Sequence, residues 1–238
     1  MAMADWIAKL EQHWFVRLGE ILGKLTVFVA LFLWIGEAGD RRIQQQHRAW
    51  GVLIAATGLA GNYGRIRALQ ELNREGVRLD GVNLSNGLLP DLKLDNANMS
   101  EVDFTHADIS RASFRQSDLK RADFSNSDVK GIDFSNAGLQ CALFCGADMR
   151  PDRDSPVILA GSDVGYADFS NAKGLSCDQL ASANNWENSI LAPGTECPGY
   201  GASERARNIR QRINQCSSYR PDGCASTGQD KLISALAN

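Results

Sequence analysis

Histidine is scarce in this chain, and so is any surplus of charge. Three histidines, His13, His47 and His106, lie far apart among 238 residues. The formal net charge is −3, too small to draw nucleic acid or an anionic surface by long-range attraction. The sequence has no glycine-rich phosphate loop, no recognisable nucleophile–base set and no Cys-x-x-Cys. No aspartate cluster has the Asp-x-Asp-x-Asp-Gly form of a calcium loop. By motif, then, no catalytic residue, metal ligand or cofactor site is expected, and a nucleic-acid partner is not expected either.

What is present is unevenly laid out. Leu25 to Gly36 reads LTVFVALFLWIG, an unbroken apolar run. Counted back to Leu18 it reaches roughly the 20 residues that span a bilayer. Glu20 and Lys24 fall near one end, where charges can reach the headgroups. Trp14, Phe15 and Trp34 flank the run, and Arg41 and Arg42 follow it, as at a membrane interface. Residues 1–40 are therefore expected to hold a single N-terminal transmembrane helix, with Leu18 to Gly36 in the membrane. A buried core helix and a signal peptide are the alternatives. Arg41, Arg42, Arg48, Arg65 and Arg67 outnumber the upstream Lys9, Arg17 and Lys24. That balance favours an inner-membrane protein with a cytoplasmic C-terminal part, a periplasmic one being the alternative.

Residues 41–76 read as a helical connector. Trp50, Leu53, Ile54 and Ala56 recur at helical spacing until Gly58, Gly61 and Gly64 break the pattern. A second short helix is expected from Arg65 to Glu75, with Ile66, Leu69 and Leu72 on one face. It would cover the open end of the periodic region that begins at Val77.

From Val77 the chain can be cut every five residues. The central positions include Leu94, Met99, Phe104, Ile109, Phe114, Leu119, Phe124, Val129, Phe134, Leu139, Phe144 and Met149, all large and apolar. Two residues before each centre the side chain is mostly small, as at Ala97, Ala107, Ala112, Ala122, Ala137, Ala142 and Ala147. Just before the centre Asp or Asn is common. A helix needs apolar spacing of three and four, and a strand needs two. A period of five fits a chain that turns a corner every five residues, four sides closing a square coil. Phe104, Phe124 and Phe144 should then stack on one inner face, with Phe114 and Phe134 opposite. The aspartates should hydrogen-bond corner backbone from outward positions.

Ala107-Asp108-Ile109, Ala122-Asp123-Phe124, Ala147-Asp148-Met149 and Ala167-Asp168-Phe169 carry the motif Ala-(Asp/Asn)-Leu-x-x, which resembles the pentapeptide-repeat family. The segments RRIQQQHRAW and GRIRALQELNREGVRLDGVNLS are similar to the lead-in of its membrane-attached members. The resemblance implies a mainly β protein, a right-handed quadrilateral parallel β-helix over residues 77–175. Asn86-Gly87-Leu88-Leu89-Pro90 is expected to make the early coils irregular. Arg150 to Pro156 interrupts the period, and Arg150, Asp152, Arg153 and Asp154 are candidate contacts in a charged loop. Residues 176–238 should hold a capping helix, with Ser176 as N-cap, and a tail.

Six cysteines make an even count. Cys216 and Cys224 could close a small loop, while Cys141 and Cys145 read as free thiols. Paired cysteines would need an oxidising compartment, against the cytoplasmic orientation. Ser203 to Gln215 reads as a basic helix packed on the column, or as a patch for acidic lipid or an acidic partner. The function expected first is a membrane-anchored scaffold for protein–protein interaction, of bacterial type. The resemblance to quinolone-resistance members, which bind DNA gyrase through an acidic face, offers a DNA-mimic alternative. A structural accessory subunit of a membrane complex is the third.

Overall fold

The computed structural model describes residues 24–32, 34, 41–153, 155–192, 195, 197, 198, 200, 204, 207, 208, 211, 212 and 216. The chain divides into two compact units, residues 1–48 and 49–238. In the first, residues 24–32, 34 and 41–48 are helical. Among the described residues no helix is long and apolar enough to cross a membrane. The span expected from Leu18 to Gly36 lies partly outside the described residues.

In the second unit helical residues continue to 55, burying Ala49 and Leu53. The helix Arg65–Arg74 buries Ala68, Leu69 and Leu72, while Ile66 is only partly buried. Arg65, at the start of this helix, is wholly buried. Its guanidinium donates to the carbonyl oxygens of Leu59 (2.9 Å), Ala56 (3.4 Å) and Gly61. These bonds tie the glycine loop to the helix, and burial pulls the Arg65 pKa down. The helix ends at Gly76, φ 69°. There the N–H of Val77 reaches Leu72 O (3.0 Å) and that of Gly76 reaches Asn73 O (2.9 Å), a left-handed C-terminal closure. Val77 thus enters the repeat in a fixed direction.

Parallel bridges join residues twenty apart, from Asn83↔Asp103 through Asp128↔Asp148. Each side donates three backbone bonds to its neighbours, as those of Asp103 to Val82 O, Phe104 to Asp123 O and His106 to Ser125 O. The N–H of Phe104 donates to Asp123 O (2.8 Å) and that of Asp123 to Val102 O (2.9 Å). Between sides the chain turns, as where the N–H of Ala107 donates to Phe104 O (3.0 Å). The third residue of each turn has positive φ: His106 58°, Arg111 57°, Gln116 58°, Arg121 59°. Asparagine and glycine tolerate this region best, and Asn86, Asn96, Asn126, Asn136, Gly131, Gly146 and Gly161 hold the same position.

The central side chains from Leu79 to Met149 are fully buried. The expected aromatic stacks are present. Phe104–Phe124, Phe124–Phe144 and Phe144–Phe169 lie at 5.3, 4.8 and 4.9 Å, near-parallel. Phe114–Phe134 stack at 5.9 Å, and edge contacts such as Phe124–Phe134 (5.5 Å) join the stacks. Where the small inward residue is serine, its hydroxyl donates to backbone, as Ser127 to Phe124 O (2.6 Å). A polar atom therefore enters the core without being left unsatisfied.

Three expectations need correction. The early coils are regular, with Leu88 bridging Asp108 and Gly87 pairing with Gly61. The segment after Arg150 does not break the lattice. Bridges across it join residues twenty-five apart, as in Asp133↔Ile158 and Asp148↔Lys173, so the insertion is one whole five-residue step. Parallel pairing also continues past 175, through Asp163↔Asn184 and Asp168↔Ile190. The capping helix Cys177–Ala181 starts at Ser176 with a reciprocal box: Gln179 N–H to Ser176 Oγ (3.2 Å) and Ser176 N–H to Gln179 Oε1 (2.8 Å).

Phe124 sits between two stacked rings and against a third, so Phe124→Ala should destabilise the column by about 3–5 kcal/mol. Phe124→Leu should cost distinctly less. Chemical denaturation followed by near-ultraviolet circular dichroism checks both.

Candidate functional site

The outward side chains of the column form its accessible surface. Just before each centre the aspartate caps its own corner. Asp103, Asp108, Asp123, Asp133 and Asp168 each accept through Oδ1 from the backbone N–H two residues on, at 2.9–3.0 Å. Their first role is thus to hold the turn. They are not uniformly exposed, for Asp123, Asp133 and Asp168 are buried.

The remaining carboxylate oxygens meet cations in ladders between coils. Arg121 bonds Glu101 (2.6 Å), Arg115 bonds Asp133 (2.5 Å), and Lys130 bridges Asp128 (2.7 Å) and Asp148 (3.2 Å). Arg150 of the expected contact loop is folded back onto Asp148 (2.6 Å). Asp152 is likewise engaged by Arg111 (2.7 Å), which also holds Asp91 (2.9 Å). Asp152 and Ser155 pair antiparallel and close the loop as a hairpin. Asp152 and Ser155 exchange both backbone bonds at 2.9 Å, and Arg153 at its tip is exposed with φ 55°. Asp154 lies outside the described residues. Gly131 lies beneath: a Cβ there would meet Asp152 Cβ and Ser155 O at 3.4 Å. Those contacts are ordinary, so it is the positive φ of 62° at Gly131, not space, that favours glycine there.

These pairs shift the carboxylates downward. Arg150, then Lys130, hold Asp148 far below the usual carboxylate range, and Arg111 lowers Asp91. Burial alone would raise Asp133, but bonds from Ser135 and Arg115 outweigh it and its pKa falls. Among the described residues no group of three His, Cys, Asp or Glu side chains is placed to hold a metal ion.

Apolar residues replace the usual aspartate at Leu88, Leu143 and Ile158, and of these only Leu143 is covered. In the series Asp103, Asp123, Leu143, Asp168, an apolar residue stands where aspartate is usual, yet Leu143 is fully buried. Cys141 and Cys145 bracket it. The expected Cys216–Cys224 pair is not formed: Cys216 bonds Cys141 across 75 residues. Cys145 is also disulfide-bonded, its partner outside the described residues, as is Cys224. Neither cysteine of this side is therefore a free thiol. Cys177 bonds Cys197 and fastens the cap. Tail residues 204, 207, 208, 211 and 212 are helical. Arg212 is buried, donating to the carbonyl oxygens of Tyr166 and Cys141 (3.2 Å), and Asn208 donates to Ser189 O (2.9 Å). Tyr200 donates to Ser189 O and accepts from Leu191 N–H, each at 3.0 Å. The tail thus packs on the column, and its Arg212 is a structural cation rather than a surface one. Arg205 and Arg210 lie outside the described residues.

A family model for pentapeptide repeats matches residues 78–116, 97–136 and 114–150, with eight copies. The chain carries pentapeptide repeats. They coil into a parallel β-helix, each side bridged to the one twenty residues on. Similar solved structures include a pentapeptide repeat protein from the Arabidopsis thaliana thylakoid lumen, 27% identical, covering 44% of this chain and 72% of that one, TM-score 0.32. Another, from Nostoc PCC 7120, is 21% identical over 58% and 90% of the two chains, TM-score 0.30. QnrB1, a plasmid-mediated fluoroquinolone resistance protein, is 19% identical over 52% and 85%, TM-score 0.28. No curated protein matches.

Two measurements test this surface. Asp91, Asp133 and Asp148 have folded pKa values below their unfolded ones. The stability they contribute is complete above the unfolded carboxylate range, about pH 4, and is lost as pH falls below it. Thermal melting should therefore drop steeply below about pH 4, and Asp148→Asn should flatten that drop while costing roughly 1–2 kcal/mol at neutral pH. Replacing Cys141 and Cys216 together by serine should cost about 2–4 kcal/mol. Limited proteolysis should then cut the tail first and leave the pentapeptide column intact.

Proposed function

We propose that this protein is a membrane-anchored pentapeptide-repeat scaffold whose column meets a protein partner in an oxidising compartment, on the periplasmic side of the inner membrane. One observation supports the anchor above others. Leu25, Val27, Phe28, Val29, Leu31, Phe32 and Trp34 are each 51–79% exposed on helical residues. Contiguous apolar surface of this kind is rare on a soluble protein and marks contact with lipid or a partner. The stapled tail favours the periplasm over the cytoplasm, since reducing compartments do not sustain such bonds. Burial of Cys141, Cys197 and Cys216 fits structural bridges rather than exchanging ones.

The scaffold reading follows from the column's exterior. Its polar groups serve corners and inter-coil ion pairs, and flat sides remain for a partner. The DNA-mimic alternative needs one continuous negative face. Arg111, Arg115, Arg121, Lys130 and Arg150 interrupt the acidic series on successive sides, which favours the scaffold. The same surfaces would suit a structural accessory subunit.

The test is fractionation of a bacterial host carrying a C-terminal tag, with protease added before and after each membrane is opened. The expected result is a tag that pellets with membranes and is cut once the outer membrane alone is opened. The cysteines should also stay unreactive to a maleimide until reductant is added. A tag protected until the inner membrane breaks, with reactive thiols, would overturn the compartment. A protein that stays in the supernatant would overturn the anchor.

A further inference from the structure

Chain order and pairing order disagree among the cysteines. Along the sequence they fall at 141, 145, 177, 197, 216 and 224. Cys141 bonds Cys216 across 75 residues, and Cys177 bonds Cys197 inside that loop. Cys145 is bonded too, and these two bridges leave it none of their four cysteines as partner. Cys141 and Cys145, the two closest in sequence, are thus each joined elsewhere. In an unfolded chain the preference is the reverse. The chance of closing a loop falls with the 3/2 power of its length, which favours the four-residue loop over the 75-residue one by roughly tens of fold. Cys141 and Cys145 also emerge first, and at about 5–20 residues per second Cys216 follows only seconds later.

A Cys141–Cys145 bridge is incompatible with the column. A disulfide needs its Cα atoms within about 7 Å of each other. Ala142, Leu143 and Phe144 run between the two cysteines as one side, with Leu143 bridged to Asp123 and to Asp168. Four extended steps span roughly 13 Å. The short bridge would cost the column this side, and Phe144 its place between Phe124 and Phe169. Packing cannot reopen it, because a disulfide is exchanged by thiolate attack. We infer that this protein is a client of a thiol–disulfide isomerase. The partner's thiolate attacks the Cys141–Cys145 bridge, takes Cys145 into a mixed disulfide and frees the Cys141 thiolate. That thiolate attacks Cys216 in its own premature bridge, forms the Cys141–Cys216 bond and expels a second thiolate. The expelled thiolate attacks Cys145 and releases the isomerase as it began. The number of disulfides is unchanged, so the exchange consumes no oxidant. The bonds themselves are made by a disulfide-bearing oxidase, which accepts two electrons and two protons for each. Cys141 and Cys216 are buried in the finished structure, which ends the exchange. This inference rests on the oxidising-compartment reading and adds the partner that maturation there requires.

The experiment exports the full chain to the periplasm of a bacterial host with and without its disulfide isomerase. Free thiols are blocked with a maleimide at lysis, and linked peptides are mapped by mass spectrometry without reduction. In the host lacking the isomerase, Cys141–Cys216 should fall about threefold or more, with Cys141–Cys145 in its place. Substituting Cys145→Ser and Cys224→Ser together removes the short loop, and Cys141–Cys216 should then form alike in both hosts. Equal native pairing of the unsubstituted chain in both hosts overturns the inference and leaves the compartment standing. A loss in the isomerase-free host that the double substitution does not relieve also overturns it, since the short loop is then not the trap. Cysteines that carry maleimide throughout in both hosts overturn the compartment reading, and the inference with it.

Discussion

Parallel pairing between segments twenty residues apart sets every other feature of this column. To pair with itself at that spacing the chain must turn at each fifth residue, and the turn demands a left-handed third position. For ordinary side chains that conformation costs roughly 1–2 kcal/mol. His106, Arg111, Arg121 and Tyr166 nonetheless adopt it. They do so because each corner is bonded three ways: by the turn's own backbone bond, by the coils before and after, and by a capping carboxylate. No single side forms without its neighbours, so the strain is tolerated only in the assembled stack.

The same geometry explains why the surface is charged yet nearly neutral. A coil rises by about 4.8 Å, the spacing of paired strands. Outward residues eighteen to twenty positions apart are therefore near neighbours. Asp91 meets Arg111, Glu101 meets Arg121, and Asp148 meets Lys130. Exposed pairs of this kind are worth little singly. As ladders they prevent like charges from stacking into one repulsive column. An uninterrupted acidic face would require the basic members to be absent, and they recur on successive sides.

The core was legible in the residues because its signal is repeated. Phe104, Phe124 and Phe144 announce the period, and the aspartates before the centres announce the caps. The left-handed corner also left a signal, in Asn86, Asn96, Asn126, Asn136, Gly131 and Gly146. It was diluted by Glu101, His106, Arg111 and Arg121, whose composition alone suggests no turn. The five-residue insertion was visible as a break, but not as a full lattice step, since that depends on where Asp148 and Lys173 pair. Disulfide partners were the least legible. Cys216 lies 75 residues from Cys141, and no local pattern reports where a tail docks. One partial clue was available: Leu143 stands at an aspartate position between two cysteines, although Leu88 and Ile158 hold such positions and stay exposed.

Covers are also what determine how this column can be approached. A stack of parallel coils has two raw ends, each a template for another strand. At the entry end, Gly61 pairs with Leu88, and Asn73 donates to Asp95 O (3.0 Å). At the far end, Gln179 donates to Val157 O (2.9 Å), and Asn184 and Ile190 continue the pairing under a disulfide-fastened cap. The chain thus occupies its own edges with its own segments, so recognition by added strands is not offered there. The side bearing Leu143 is occupied as well, by the tail. A protein partner of the kind proposed would be left with the sides whose outward residues are paired charges and the hairpin at Arg153. Such a partner would therefore have to recognise a rigid pattern of side chains, and that pattern is fixed by the same corners that fold the column.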